Sequence, residues 1–159
     1  MAERPCDELF RPHLTPSAML REGVFGGSYF HGCTVEDVMG LGAEHGLVER
    51  DMREFDKRHN RYGVRAGQSF AEWTAAGWIF PEDPLGWFHW YCRYHAGRRH
   101  ERDPHQIRRW VNYGARWGRF ARGQMISRGD ASSVVKQGLL QWAYEPMVVL
   151  HEAGGTMYV

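Results

Sequence analysis

Apolar residues along this 159-residue chain come in short runs broken by glycine and proline, not in long stripes. Such punctuation predicts short helices. Thr15-Pro16 sets a capping hydroxyl before a proline at the first helical position, opening a helix that Gly23 can end. Phe25-Gly26-Gly27-Ser28-Tyr29-Phe30 is then an aromatic-flanked turn. Thr34 starts a second short helix ending near Gly40 or Gly42, and the charge-dense stretch 50–58 suits a surface helix. Asn60-Arg61-Tyr62-Gly63 has turn chemistry. Ser69 and Glu72 stand at capping-box spacing before a helix that carries Trp73 and stops at Gly77.

Asp83-Pro84 repeats the cap-and-proline signal and predicts a helix over 84–96, ended by Gly97; Asp103-Pro104 does so again for 104–122. Ser132 or Ser133 caps a helix over 134–144 with Val135, Leu139 and Trp142 on one face, and Glu145-Pro146 closes it. From 147 to 159 two apolar runs flank Gly154-Gly155, which fits either a terminal β-hairpin or a frayed tail. Together these elements predict a mainly α protein, a compact bundle of short helices forming a single domain over 1–159.

No apolar run approaches the ~18 residues of a membrane span, and the first residues lack the hydrophobic stretch of a secretory signal. Three cysteines, Cys6, Cys33 and Cys92, are widely spaced and form no CxxC, which suits a reducing compartment and small buried thiols. A cytoplasmic protein without membrane attachment is the expectation.

Charge changes the picture through its distribution. The formal total is +1, yet residues 93–128 hold ten Arg against Glu101 and Asp103, a local net of +8. Residues 1–92 carry nine basic and 14 acidic groups. So segregated a block suggests a polyanionic partner, and guanidinium favours phosphate and stacked bases over what ammonium can do. At ~100° per residue, Arg108, Arg109, Arg116, Arg119 and Arg122 fall on one side of the 104–122 helix. Ile107, Trp110, Val111, Tyr113, Trp117 and Phe120 fall on the other. One face would dock into the core, while Arg108, Arg116, Arg119 and Arg122 would form a phosphate-binding stripe, unless the face is simply solvated. Gly114 and Gly118 weaken the helix between them.

Ahead of this helix, Trp87, Tyr91 and Tyr94 share a face with Trp90 beside it. Trp87 and Tyr91 suit a core stripe. Trp90 and Tyr94, interleaved with Arg93, Arg98 and Arg99, also match a platform for unstacked bases. His89, Cys92 and His95 lie on one face as conceivable zinc ligands, but no finger spacing, CxxC or HExxH accompanies them, and no metal is assigned. Walker A, GxSxG and GxGxxG motifs are all missing, and no cofactor is expected.

The run Asp83…Gly86-Trp87-Phe88…Trp90-Tyr91-Cys92-Arg93-Tyr94…Gly97-Arg98-Arg99…Asp103…Gln106-Ile107…Arg109-Trp110 resembles a family of small fungal and bacterial proteins. Specifically, it is similar to the arginine-containing cyclodipeptide synthases of fungi. The similarity extends from Thr15-Pro16 to Leu139-Leu140-Gln141-Trp142, with one departure: Leu85 stands where Arg is expected, so a positive charge is missing. This resemblance implies use of arginyl-tRNA and a second aminoacyl-tRNA to make a cyclic dipeptide.

Aminoacyl esters arrive activated, so positioning and a proton acceptor could suffice. Asp83, Asp103 and His105, at helix starts beside the Arg cluster, are the candidates, with helix capping as the alternative role of both Asp. Trp90, Arg93, Tyr94, Arg98, Arg99, Gln106 and Arg109 are the substrate-contacting candidates, with Arg98, Arg99 and Asp103 expected in one cleft. RNA, tRNA in particular, is the expected partner. A non-catalytic nucleic-acid-binding module and a small-molecule enzyme holding an anionic substrate at the Arg cluster stay open beside it.

Overall fold

The computed structural model describes residues 7–33, 53–67 and 70–156. The expected helix over 34–42 and the Ser69 cap lie outside these residues. Among the described residues the fold is mainly α, with a lone antiparallel bridge between Phe80 and Asp83. The helices are α1 (Pro16–Glu22), α2 (Phe70–Ala75), α3 (Trp87–His95), α4 (Asp103–Arg128), α5 (Ser133–Leu140) and α6 (Pro146–Thr156).

Local chemistry explains several boundaries. Thr15 accepts a hydrogen bond from the Ala18 amide at 3.1 Å, and Pro16 occupies the first turn of α1. Ser132 does the same for Val135 at 3.3 Å, starting α5. Gly129, at φ 79°, ends α4 in the left-handed conformation that a side chain would disfavour.

Other boundaries depart from the sequence expectation. The 84–96 helix begins only at Trp87, because Asp83 spends its carboxylate on arginines and Gly86 turns the chain at φ 108°. The 104–122 helix runs on to Arg128, 26 residues without a break at Gly114 or Gly118. The 134–144 helix stops at Leu140, where Ala143 takes φ 63° and frees the Trp142 carbonyl for the Trp110 indole at 2.8 Å. Within 50–58, the described part is irregular before a single 3-10 turn, Lys57–His59.

The C-terminal expectation is overturned. No hairpin forms at 147–156; Pro146 starts a helix instead of ending one, and the Glu145 carboxylate accepts from the Met147 amide at 3.3 Å. Val149 and Leu150 are buried with Ala121, Val135 and Leu139 in a cluster between α4, α5 and α6. Burial of that face outweighs the strand preference of its β-branched residues.

A larger core gathers around α3. Phe10, from the N-terminal segment, sits among the rings of Trp90, Tyr91, Tyr94 and Trp110 at centroid distances of 5.0–5.4 Å. Close approach of the last turn to α4 depends on Gly114, where a Cβ would lie 2.0 Å from the Tyr144 hydroxyl. Tyr144 can therefore stack on Trp110 at 4.7 Å and donate to the Trp110 carbonyl at 2.8 Å. Trp110 and Ile107 are buried and Trp117 is half-buried, as the helical wheel requires. Val111 and Phe120, placed by the wheel on the core face, are instead 36% and 54% exposed, because the core covers only part of so long a helix.

Candidate functional site: an arginine stripe and an aromatic pocket

The loop before α3 and the loop after it are joined by arginines. Arg98 grips the buried Asp83 carboxylate with both terminal nitrogens, at 2.8 and 2.7 Å, and Arg93 reaches the same group at 3.2 Å. Arg93 also donates to the Glu82 carbonyl, and Arg102 pairs with the Glu82 carboxylate while lying 4.0 Å over the Phe80 ring. Three of the ten arginines in the basic block are thereby engaged by two carboxylates of the segment just before α3. A forked Arg–carboxylate pair of this kind is a geometric staple.

Asp103 does not cap α4 in the expected way. Arg102 is the cap residue, and Asp103 is fully buried, its carboxylate accepting from the Trp90 indole at 2.7 Å and the His100 amide at 2.9 Å. Arg99 lies 3.7 Å over the Tyr94 ring, whose hydroxyl donates to Asp7 and is pushed up to about 12, by burial first and by that bond second. Arg98, Arg99 and Asp103 thus engage three different partners, the Asp83 carboxylate, the Tyr94 ring and the Trp90 indole. Trp90 has no exposed surface, so it cannot stack on a base. Gln106 is buried too, accepting from Arg109 through its side chain and from the Trp87 indole through its carbonyl.

Among the proton-acceptor candidates, Asp83 and Asp103 are buried in these networks, whereas His105 is exposed and meets Phe80 edge-on at 5.3 Å. Desolvation and then Arg109, Arg102 and Arg108 lower the affinity of His105 for a proton. His89 is buried and held down to about 4, chiefly by desolvation, with its Nδ1 accepting from the Leu85 amide. Cys92 is buried and His95 exposed; among the described residues no group of three or more His, Cys, Asp or Glu could hold a metal.

Arg108, Arg116, Arg119 and Arg122 are exposed along α4, and none has an ion-pair partner among the described residues. Arg109 turns away from them. It lines a pocket of about 430 Å³ walled by Phe25, Tyr29, Trp73, Trp78, Trp87 and Trp142, with Arg116 also contributing. The Arg109 guanidinium lies 5.5 Å from the ring centroids of both Trp78 and Trp142. It donates to Gln106 at 3.0 Å and to the Trp78 carbonyl at 3.4 Å, with no carboxylate partner among the described residues. Burial lowers its pKa to about 10.

Comparison of the chain with family models, curated proteins and solved structures finds no match. Site geometry therefore carries the functional reading. Of the pocket walls, sequence reasoning named only Arg109 and Arg116 as contacts and treated Trp87 as core. Trp73, Trp78, Tyr29 and Trp142 come from separate elements, and their only signal was the unusual supply of aromatics, seven Trp in 159 residues.

Proposed function

We propose that the chain engages RNA through Arg108, Arg116, Arg119 and Arg122 and acts as an aminoacyl-tRNA-dependent transferase making an arginine-containing cyclic dipeptide. The observation that carries this reading is the continuity between stripe and pocket: Arg116 belongs to both. Phosphates tracked along α4 would bring the end of a strand to an aromatic pocket, where rings and guanidinium suit an unstacked base or an aminoacyl group. The resemblance around Gly86-Trp87-Phe88 supports the same chemistry.

In that chemistry the amine of one aminoacyl ester attacks the carbonyl of the other, and a second attack closes the ring. Two amide bonds form, two ester bonds break, and each amine proton lost is matched by a released ribose hydroxyl. His105, exposed and with its proton affinity lowered, is the proton acceptor in this reading. The Arg109 cation, without a carboxylate partner among the described residues, makes the pocket a poor receptacle for an arginyl side chain, which would lie outside it. A second reading, a small-molecule enzyme for an anionic substrate, is favoured by Arg109 itself; Arg93 and Arg98 are occupied by Asp83.

Mass spectrometry of a heterologous host with and without the chain tests the activity: new arginine-containing cyclic dipeptides are expected. For binding, four phosphate contacts should make log K fall with log salt at a slope of about −3, on the single-strand value of ~0.7 per contact. Changing all four stripe arginines to Gln should weaken binding and flatten the slope. Affinity indifferent to salt would return the stripe to a solvated face.

A further inference from the structure

We propose that the pocket beside α4 is a binding site for a flat aromatic ring carrying an anionic group, with the ring held among the tryptophans and the anion on Arg109. The inference stands on the pocket alone and does not require that the chain bind RNA.

Arg109 is a half-buried cation. A cation withdrawn from water is normally matched by a carboxylate, because its desolvation is otherwise uncompensated. Other half-buried arginines follow that rule: Arg98 has Asp83, Arg102 has Glu82 and Arg61 has Glu145. Arg109 does not. Its neighbours are two indole faces, one amide oxygen and one backbone carbonyl, among the described residues. Both hydrogen bonds use the same terminal nitrogen, Nη1. Guanidinium offers five N–H donors in a fixed fork, so Nε and Nη2 are left without a protein acceptor among the described residues. A carboxylate or phosphate oxygen is the complement of that fork.

The walls decide the rest of the ligand. A cavity of about 430 Å³ falls within the usual size of small-molecule sites, and half of its lining residues are aromatic. Gln141 lines it as well, but its oxygen is already taken by the Phe25 amide and the Gln137 side chain, and one of its two N–H donors by the Ala66 carbonyl. Polar recognition thus falls to Arg109, whose buried partner Gln106 fixes its position, with Arg116 and Asn112 also on the wall. Flat rings gain by stacking on such walls, and a cationic ligand is disfavoured by the charge already present. A free aromatic acid and a nucleotide with its phosphate both present this chemistry.

Isothermal titration of the full chain with 2-naphthoate, 2-naphthamide and 2-naphthylmethylamine tests the site. The carboxylate should bind at least about tenfold more tightly than the amide, as one charge-assisted contact supports, and the amine should bind more weakly still. Arg109→Gln should remove most of the preference of carboxylate over amide, and Arg109→Lys should keep more of it. Arg116→Gln should lower it less than Arg109→Gln. A preference unchanged in Arg109→Gln overturns the assignment of the anion to Arg109. Adenosine monophosphate against adenosine forms the second arm. A preference for the nucleotide larger than that for naphthoate assigns the site to a nucleotide, and the reverse assigns it to a free acid. Equal binding of the acid, amide and amine by the unsubstituted chain overturns the proposal, as does absence of saturable binding for both naphthoate and the nucleotide. Neither result bears on the stripe, whose salt slope is read separately with RNA.

Discussion

The Trp90 indole and the Asp103 carboxylate meet in the interior of the fold, 2.7 Å apart, and neither residue has exposed surface. One contact ties α3 to the first turn of α4. The second carboxylate oxygen accepts from the His100 amide, so Asp103 also shapes the turn between the two helices.

Asp103→Asn tests this pairing. An amide replaces one acceptor oxygen with a donor, so either the indole or the His100 amide faces an N–H. The expected loss is about 1–3 kcal/mol in urea unfolding. A mere helix cap would tolerate Asn with almost no change, so an unchanged midpoint would contradict the buried role.

Asp83 should be the more sensitive carboxylate. It is 2% exposed and answers two guanidinium groups, which its removal would leave without their partner. Asp83→Ala should cost about 2–4 kcal/mol, less than a fully buried pair because both arginines reach solvent. Arg98→Ala should cost less, since Arg93 still balances the carboxylate. Chemical denaturation with an unchanged slope would check both.

Gly114→Ala pits helix propensity against packing. Alanine should gain about 1 kcal/mol as a helix former. Its Cβ would nevertheless fall 2.0 Å from the Tyr144 hydroxyl and 2.3 Å from the ring carbon that bears it. The rigid ring, stacked on Trp110, must then move, and a net loss of about 1–3 kcal/mol is expected. Circular dichroism on melting reads the sign directly, and Gly123→Ala, with open space around it, serves as the stabilising control.

His89 should write an acid limb into the stability curve. Its pKa falls from an ordinary 6.5 to about 4 in the folded chain, by desolvation first and then by Arg93, with Asp83 opposing and Arg98 adding. The unfolded chain therefore binds more protons between these values. Stability from the neutral imidazole is complete above about pH 6.5 and is lost as pH falls towards 4, on the order of 2–3 kcal/mol in all. His89→Gln should flatten that limb, leaving the smaller contribution of His105, which is lowered in the same sense. Urea midpoints at pH 7, 5.5 and 4.5 give the comparison.

The sequence alone determined what local chemistry controls. Thr15 and Ser132 cap their helices because a hydroxyl needs only an amide three residues on. The arginine face of α4 was legible because helical geometry sorts side chains by spacing, and no acidic residue interrupts Arg108, Arg116, Arg119 and Arg122.

Tertiary structure decided the remainder. Periodicity puts Trp90 and Arg109 on helix faces but does not say what packs there; Phe10 covers one, and an aromatic cavity receives the other. The Met147-Val148-Val149-Leu150 run suggested a hairpin strand or a frayed tail, yet burial of Val149 and Leu150 beside α4 and α5 selected a helix. Asp83 and Asp103 carried the same Asp-Pro signal yet met two guanidinium groups and an indole. The pocket was the least legible feature, because its walls lie between Phe25 and Trp142 and only the folded chain brings them together.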